Sequence, residues 1–535
     1  MQAQTPAVTP EIPNPKQAFR QRLFAMLGLC FVLIMVALDQ TVVGTALPTV
    51  VAELKGFSLY AWVGTSYLLT SVITIPIFGR LGDDHGRKPF VLAAIVLFTV
   101  ASMLCGMAQS MIQLVLARAL QGVGGGMLVA TTFASVPDLF PDAHERLRWQ
   151  VLFSSAFGLA NAIGPSLGGF LTEYCGWRWV FFVNLPVGLI SVWFVWRYLP
   201  RIRHADHTPS RLDWLGAALI AVALGGMQLL VEWLPQRKPP LLLALLAVVA
   251  IGSVVLLLWW ERRCANPILP LDMFTHRSLQ PLFILSVLMG FCLFAVMYYA
   301  PLMFQGGFGL SPNQAGLLVT PLVVFITVGS IINGRIITRV PKPNIMLYVG
   351  FAFFWVAAFG LTQTHLGTPH WVIVLVMMMG GLGLGLLMPN LTIFAQETAP
   401  RTQLGIATAM LQSTRMIGGM LGTALIGTFV THRYTAGVED FLQNQAPGSM
   451  QWAHWLDDPQ ILVNHSVAQQ FSQAAGQAGV QAGALLDGAR VALVNAIHGG
   501  QWTVVGVMVL ALLIVRRVPP LRLQRRVTKV EASHE

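Results

Sequence analysis

The sequence predicts an all-α polytopic membrane protein of fourteen spans, built as two six-helix bundles with two additional transmembrane helices between them. Three observations lead there. Of 535 residues, 55% are hydrophobic and only 10% charged, with a mean hydropathy of +0.67, whereas a soluble domain carries about 25% charged residues. The apolar residues fall in long runs. The Lys and Arg residues between those runs crowd into alternate loops, as the positive-inside rule requires. The net charge of +11 therefore reflects cytoplasmic loops, and nucleic acid is not expected as a partner.

A span needs about 20 apolar residues, and fourteen stretches qualify, at roughly 23–47, 57–79, 89–109, 111–135, 149–172, 179–198, 212–233, 241–260, 280–303, 313–335, 344–363, 370–393, 405–431 and 500–518. Residues 1–22 form a polar, Pro-rich cytoplasmic tail. They are not a cleavable signal, because the run that follows is too long and lacks a cleavage pattern. Residues 23–198 make the first bundle, 199–279 a linker with the two extra spans, and 280–518 the second bundle. The basic tail, 519–535, is expected against anionic lipid. Lys16, Arg20 and Arg22 precede the first span, and Arg80, Arg87 and Lys88 follow the second. Arg197, Arg201, Arg203 and Arg211 follow the sixth, and Arg516, Arg517, Arg522, Arg525 and Arg526 follow the last. With these inside, both termini are cytoplasmic. A twelve-span topology leaves the apolar runs 212–233 and 241–260 unexplained.

The segment 432–499 differs in composition. It is rich in Gln, Ala, Gly and His and carries Glu439, Asp440, Asp457, Asp458 and Asp487. The topology puts it outside. Apolar spacing predicts short amphipathic helices over 461–475 and 484–498 that pack on the outer face; a flexible tether is the alternative. A faint internal echo links Gly122-Val123-Gly124-Gly125-Gly126 to Gly381-Leu382-Gly383-Leu384-Gly385, each ahead of a further Gly-rich span. With the two extra spans set aside, these pairs occupy the fourth and fifth places of two six-span halves, the repeat logic of secondary transporters.

Asp39 is the only acid well inside any apolar run. A carboxylate at bilayer depth costs about 2.5–3.5 kcal/mol on insertion scales, so it needs a partner or a water-filled cavity and is a functional candidate. Arg118 and Arg415 are the two bases inside spans. Arg118 either tunes a protonatable acid or organises helices through their carbonyls, and nothing in the sequence shows that it touches Asp39. Arg415 either binds an anionic substrate or organises its own span. Gln40, Gln121, Asn161, Tyr298, Asn390 and Gln412 are candidates for the cavity wall, or else helix–helix hydrogen bonders. Between the second and third spans, Gly79-Arg80-Leu81-Gly82-Asp83-Asp84-His85-Gly86-Arg87-Lys88 makes a tight turn with clustered charge. Gly164, Pro165, Gly168 and Gly169 are expected to break and thin the fifth helix.

The loop from Gly79 to Lys88 resembles the signature G-x-L-x-D-x-x-G-R-K of the major facilitator superfamily. The chain resembles, more narrowly, that superfamily's fourteen-span drug:proton antiporters. Leu38-Asp39-Gln40-Thr41 with Ala46-Leu47-Pro48, Leu116-Ala117-Arg118-Ala119-Leu120-Gln121-Gly122, Gly164-Pro165 with Gly168-Gly169, and Trp177-Arg178-Trp179 through Asn184-Leu185-Pro186 carry the match. It departs at Asp84, where a basic residue is frequent, and at Ala160, which replaces a glycine. The resemblance implies the major facilitator fold. It also implies that Asp83, Arg87 and Lys88, in the turn with Gly79 and Gly86, latch the cytoplasmic side. Asp39, with Arg118 as its electrostatic partner, is the expected proton-coupling site. The glycine-proline motif would favour exchange over leak.

The expectation is a proton-coupled exporter of lipophilic, cationic drugs in a bacterial inner membrane, working as a monomer. An exporter of a metabolite, siderophore, sugar or lipid is the alternative, and a non-transporting sensor or scaffold a more distant one. A periplasmic adaptor is a further partner that the resemblance implies for some members. The five scattered cysteines have no metal-ligand spacing or evident disulfide framework. There is no P-loop and no intramembrane Ser-His pair, so neither an enzyme nor any metal or cofactor besides the coupled proton is expected.

Overall fold

The computed structural model describes residues 15–140, 143–200, 213–233, 239–264, 267, 273–274, 276–337, 339–399, 404–445, 449–478 and 480–519. Among them there is helix and no strand. In a bilayer every backbone polar group must be satisfied within the protein, and a helix does this segment by segment.

The first half consists of α1 (Pro15–Leu54), α2 (Tyr60–His85), α3 (Arg87–Gly106), α4 (Met111–Leu139), α5 (Ala143–Phe170), and the pair α6 (Trp179–Phe182) and α7 (Asn184–Tyr198). Then come α8 (Trp214–Trp233) and α9 (Pro240–Glu261). The second half is α10 (Gln280–Leu302), α11 (Pro312–Ile336), α12 (Ile345–Thr362), α13 (His370–Thr398), α14 (Leu404–Gln443) and, after α15 (Ala453–Leu456) and α16 (His465–Gln477), the closing helix α17 (Ala482–Val515). Eleven helical stretches among the described residues are long and apolar enough to cross a membrane, and Trp214–Leu230 is a shorter apolar helix.

Local sequence fixes several ends. Ser311 and Gln314 form a reciprocal capping box ahead of α11, with Pro312 in the first turn, where a missing N–H costs nothing. Gly86 joins α2 to α3 at φ +86°, a left-handed conformation natural to glycine.

The halves share one packing plan. In the first, α2 and α3 both pack on α4, and α1 packs on α5. In the second, α11 and α12 both pack on α13, and α10 packs on α14. The glycine echo has a physical basis. A Cβ on Gly124 would stand 2.8 Å from the Phe98 backbone N, and one on Gly383 2.8 Å from the Phe354 backbone N. Each glycine lets a fourth helix press against its third. The halves meet along two seams, α5 against α11 and α2 against α14, with α1 facing α10 between them. Of the extra pair, α8 leans on α2 and α14, and α9 packs on α8.

Three expectations are corrected. First, α5 runs unbroken through Pro165, and only beyond Phe170 does the helix widen into a π-turn over Leu171–Cys175. Close packing on both sides keeps it continuous, as the site below shows. Second, 484–498 is no separate short helix. It is the first part of α17, continuous with the last span. Third, α14 extends well past 431 to Gln443. Between these two long helices α15, α16 and their turns form a folded cap. Leu456, Ile461 and Phe471 are buried in it, Trp452 meets Phe471 edge-on at 5.7 Å, and the Tyr434 hydroxyl donates to the Leu456 carbonyl at 2.6 Å. The cap sits on α1, where the Asn464 amide donates to the Ala52 carbonyl. We call this the cap end, and the opposite one the terminal end.

Candidate functional site

Asp39 lies midway along α1, a helix that is almost entirely buried around it. Its side chain points at α4, where Arg118 stands. Both residues are sealed, at 1% and 0% exposure. Arg118 Nη1 donates to Asp39 Oδ2 at 2.6 Å. One turn on, Gln121 Nε2 donates to Asp39 Oδ1 at 2.7 Å, and its own Oε1 accepts from Arg118 Nη1 at 2.7 Å. The i, i+3 spacing of Arg118 and Gln121 puts both on one helix face, so the pair grips both carboxylate oxygens. Asn184 Nδ2 completes the set, 3.3 Å from Asp39 Oδ1 and 2.9 Å from Ser102 Oγ.

The guanidinium has further support. Its Nε donates to the Val63 carbonyl at 3.3 Å, and its carbon lies 4.5 Å from the Tyr67 ring centroid. A cation over an aromatic face gains about 0.5–2 kcal/mol. Nη2 has no hydrogen-bond partner among the described residues. From the second half Tyr298 closes in, its hydroxyl end against Gly64 and within electrostatic reach of both charges.

On the cap side of Asp39 the halves are tied together. Gln305 Nε2 donates to the Thr45 carbonyl at 2.7 Å, Thr49 Oγ1 to Gln305 Oε1 at 3.1 Å, and the Tyr60 hydroxyl to the Tyr298 carbonyl at 2.7 Å. The charge pair is thus closed off from the cap end.

The structure brings Asp39, Arg118, Gln121 and Tyr298 together. Gln40 is half-buried beside Tyr67. Asn390 is elsewhere, locked to Asn333 by reciprocal amide bonds of 2.8 and 3.1 Å that clasp α11 to α13. Asn161 on α5 and Gln412 on α14 are half-buried. So is Arg415, whose backbone carbonyl abuts Gly290 and whose guanidinium pairs with no carboxylate among the described residues. Asn184 escaped assignment from sequence although it lies in a quoted motif. Its signal is a lone amide at the α6–α7 junction.

Of the loop at the terminal end, Gly79 has open space around it, and Arg87 passes over Gly82, 3.3 Å from where a Cβ would sit. Lys88 Nζ donates to the Trp196 carbonyl at 2.8 Å. The Asp83 side chain lies outside the described residues. The glycine-proline motif is a two-sided contact. Gly164 and Gly168 receive Thr41 and Thr45 of α1, while Gly169 meets the Pro312 carbonyl and the Pro165 carbonyl meets Gly316 of α11. Ser166 and Thr320 share a hydrogen bond of 2.6 Å across the same seam.

Two pseudo-repeated bundles packed along shared seams, with a buried charge pair between α1 and α4 of the first, define a multi-pass membrane transporter. A family model described as Major Facilitator Superfamily matches residues 29–423. The chain is 34% identical over 427 residues to the multidrug transporter protein MdtP of Bacillus subtilis, covering 77% of this chain and 76% of that protein. It is 31% identical over 462 residues to multidrug resistance protein 3 of the same bacterium, covering 84% and 88%. Among solved structures, a bacterial homologue of the human lysosomal transporter Spinster, inward-facing and unoccupied, superposes with a TM-score of 0.63 at 15% identity over 93% of this chain and 98% of that one. A D-xylose–proton symporter gives 0.55 at 16% over 77% and 90%. These two share the fold. The chain belongs to the major facilitator superfamily, a family of transporters and not of enzymes.

Proposed function

We propose that this transporter is a proton-coupled antiporter that exports lipophilic, cationic drugs or toxic compounds by alternating access. It does so as a monomer in a bacterial inner membrane, with both termini cytoplasmic and the cap outside. Its fourteen spans are the eleven long apolar helices with α5, α8 and α14 added. The observation that carries the reading is the sealed Asp39–Arg118 pair with its ring of donors.

A carboxylate there can be neutralised by Arg118, by a proton or by a cationic substrate. Ionised, it holds Arg118. Protonated, it leaves the guanidinium with a carbonyl, a ring and Gln121, an under-compensated buried charge. That state is tolerable only once water reaches the pair, so proton uptake and the opening of one end are linked. A cation competing for the same carboxylate makes the exchange obligatory.

The test is proton-driven ethidium uptake into inverted vesicles, measured between about pH 6 and 8. Asp39→Asn is expected to abolish the drive and its pH dependence. Unchanged uptake across that range removes Asp39 from the coupling.

Arg415 favours a second reading, export of an anionic metabolite or siderophore, because a half-buried guanidinium without a carboxylate suits an anion. Arg415→Gln would then abolish transport of anions and spare that of cations. A periplasmic adaptor, if one is used, meets the cap. Co-purification with and without residues 446–478 decides this, because that deletion leaves α14 and α17 whole.

A further inference from the structure

A cavity of about 200 Å³ lies away from the charge pair, at the cap end of the α2–α14 seam. Its walls come from three parts of the chain. The first half gives Phe57, Tyr60 and Ala61, the second half gives Tyr299 and the α14 residues from Ala424 to Thr435, and the extra helix α8 gives Gln228. Gly427 lets α14 close against Tyr299 and Ala61 at the cavity wall. Any side chain there would run into the Tyr299 hydroxyl and, at 3.0 Å, the Ala61 methyl. It opens at the cap end, where Ser58 and His432 are exposed.

The walls are mostly apolar and aromatic, and the tyrosines have no donor to spare. The Tyr60 hydroxyl donates to the Tyr298 carbonyl, and the Tyr299 hydroxyl to the Thr423 carbonyl at 2.9 Å. Gln228 is different. It is 1% exposed, it lines the cavity, and its Oε1 has no hydrogen-bond partner among the described residues. A buried carbonyl left unsatisfied costs about 1–3 kcal/mol. On a helix that packs by apolar contact, leucine would serve better.

We propose that this cavity is a second ligand site, for a lipophilic molecule that carries an N–H donor and delivers it to Gln228. Because its walls belong to both halves, the site is complete only while the cap end is closed, and its occupant holds the transporter in that state. The site stands apart from Asp39 and does not depend on proton coupling.

The test uses the full chain in phosphatidylcholine nanodiscs and two fluorescent probes, dansylamide and its N,N-dimethyl analogue, which lacks the donor. In the wild type the donor-bearing probe should bind about tenfold tighter, the value of one buried hydrogen bond. In Gln228→Leu, and in the equally conservative Gln228→Met, the preference should vanish while the thermal midpoint holds or rises. Thr428→Trp, which fills the cavity, should remove the donor-dependent binding. The same preference in both Gln228 variants, or its survival in Thr428→Trp, overturns the proposal. Nanodiscs containing phosphatidylethanolamine identify the source of the donor. A weaker dansylamide affinity in the wild type alone makes a lipid headgroup the occupant, and an unchanged one assigns the site to free amphiphiles.

Discussion

At the scale of single residues, the charge pair owes its stability to mutual dependence. Two charges at 2.6 Å, both fully buried, are each acceptable only because of the other. Removing one partner of such a pair costs about 3–5 kcal/mol, because the survivor stays buried and charged. Arg118→Gln should therefore lower the thermal midpoint sharply. The double variant Asp39→Asn with Arg118→Gln should lose less than the two single losses combined, the signature of direct coupling. A thermal-shift series on the four proteins measures this, and simple additivity would contradict the geometry. Asn184 acts more subtly. Its amide reaches Asp39 at 3.3 Å and Ser102 at 2.9 Å, so it positions the carboxylate against Arg118 and Gln121. Asn184→Ala should lower the transport rate while moving the thermal midpoint far less than Arg118→Gln does. A thermal loss as large as that of Arg118→Gln would reduce Asn184 to a packing residue.

At the scale of helices, the α1–α5–α11 sandwich is closely packed through small residues. Gly164 faces Thr41 and Gly168 faces Thr45, so a methyl at either position must push the threonine away. Gly164→Ala should destabilise by about 1–3 kcal/mol, the usual cost of overpacking. Thr41→Ala should restore most of it, as thermal midpoints of the single and paired variants would show. Gly316→Ala, pressed on the Pro165 carbonyl, should slow transport more than it lowers stability if the seam shears in the alternating-access cycle proposed above. This layer also shows what the sequence makes legible. Charges in apolar runs stand out, so Asp39 and Arg118 were readable, and small residues at helical spacing announced α5. The direction of the effect was not readable. Proline and three glycines suggested a broken helix, but packing on both flanks keeps it continuous, and those neighbours are more than a hundred residues away in sequence. Gln228 and Asn184 were invisible for a related reason. A single amide in a span gains meaning only from what a distant helix brings against it.

At the scale of the molecule, the two halves are tied at the cap end and the cap is laid across the tie. Asp458 heads one of its turns, accepting the Gln460 amide N–H at 3.0 Å. Burial raises its carboxyl above the ordinary value of 3.8, an effect the Gln460 bond only partly offsets. A group whose folded-state value is raised favours folding below its unfolded value and loses that contribution as pH rises through the folded one. The cap should thus be tightest in acid and loosen as pH climbs above about 3.8. Hydrogen exchange over 449–478 should follow this trend in the wild type and less steeply in Asp458→Asn, which keeps the capping acceptor without the charge, the neighbouring Asp457, raised by burial and by Glu439, supplying the rest.

The length of α14 has a mechanical consequence. Its 40 residues, at about 1.5 Å each, make a rod of about 60 Å, with one end in the transport seam and the other under the cap. Any tilt at the seam swings the far end like the needle of a gauge. The cap rides on that needle, yet Asn464 is pinned to the Ala52 carbonyl of α1. In the alternating-access cycle proposed above, opening the cap end would either break that pin or carry α1 along, so the cap would act as a brake on the cycle and its release as a clock for it.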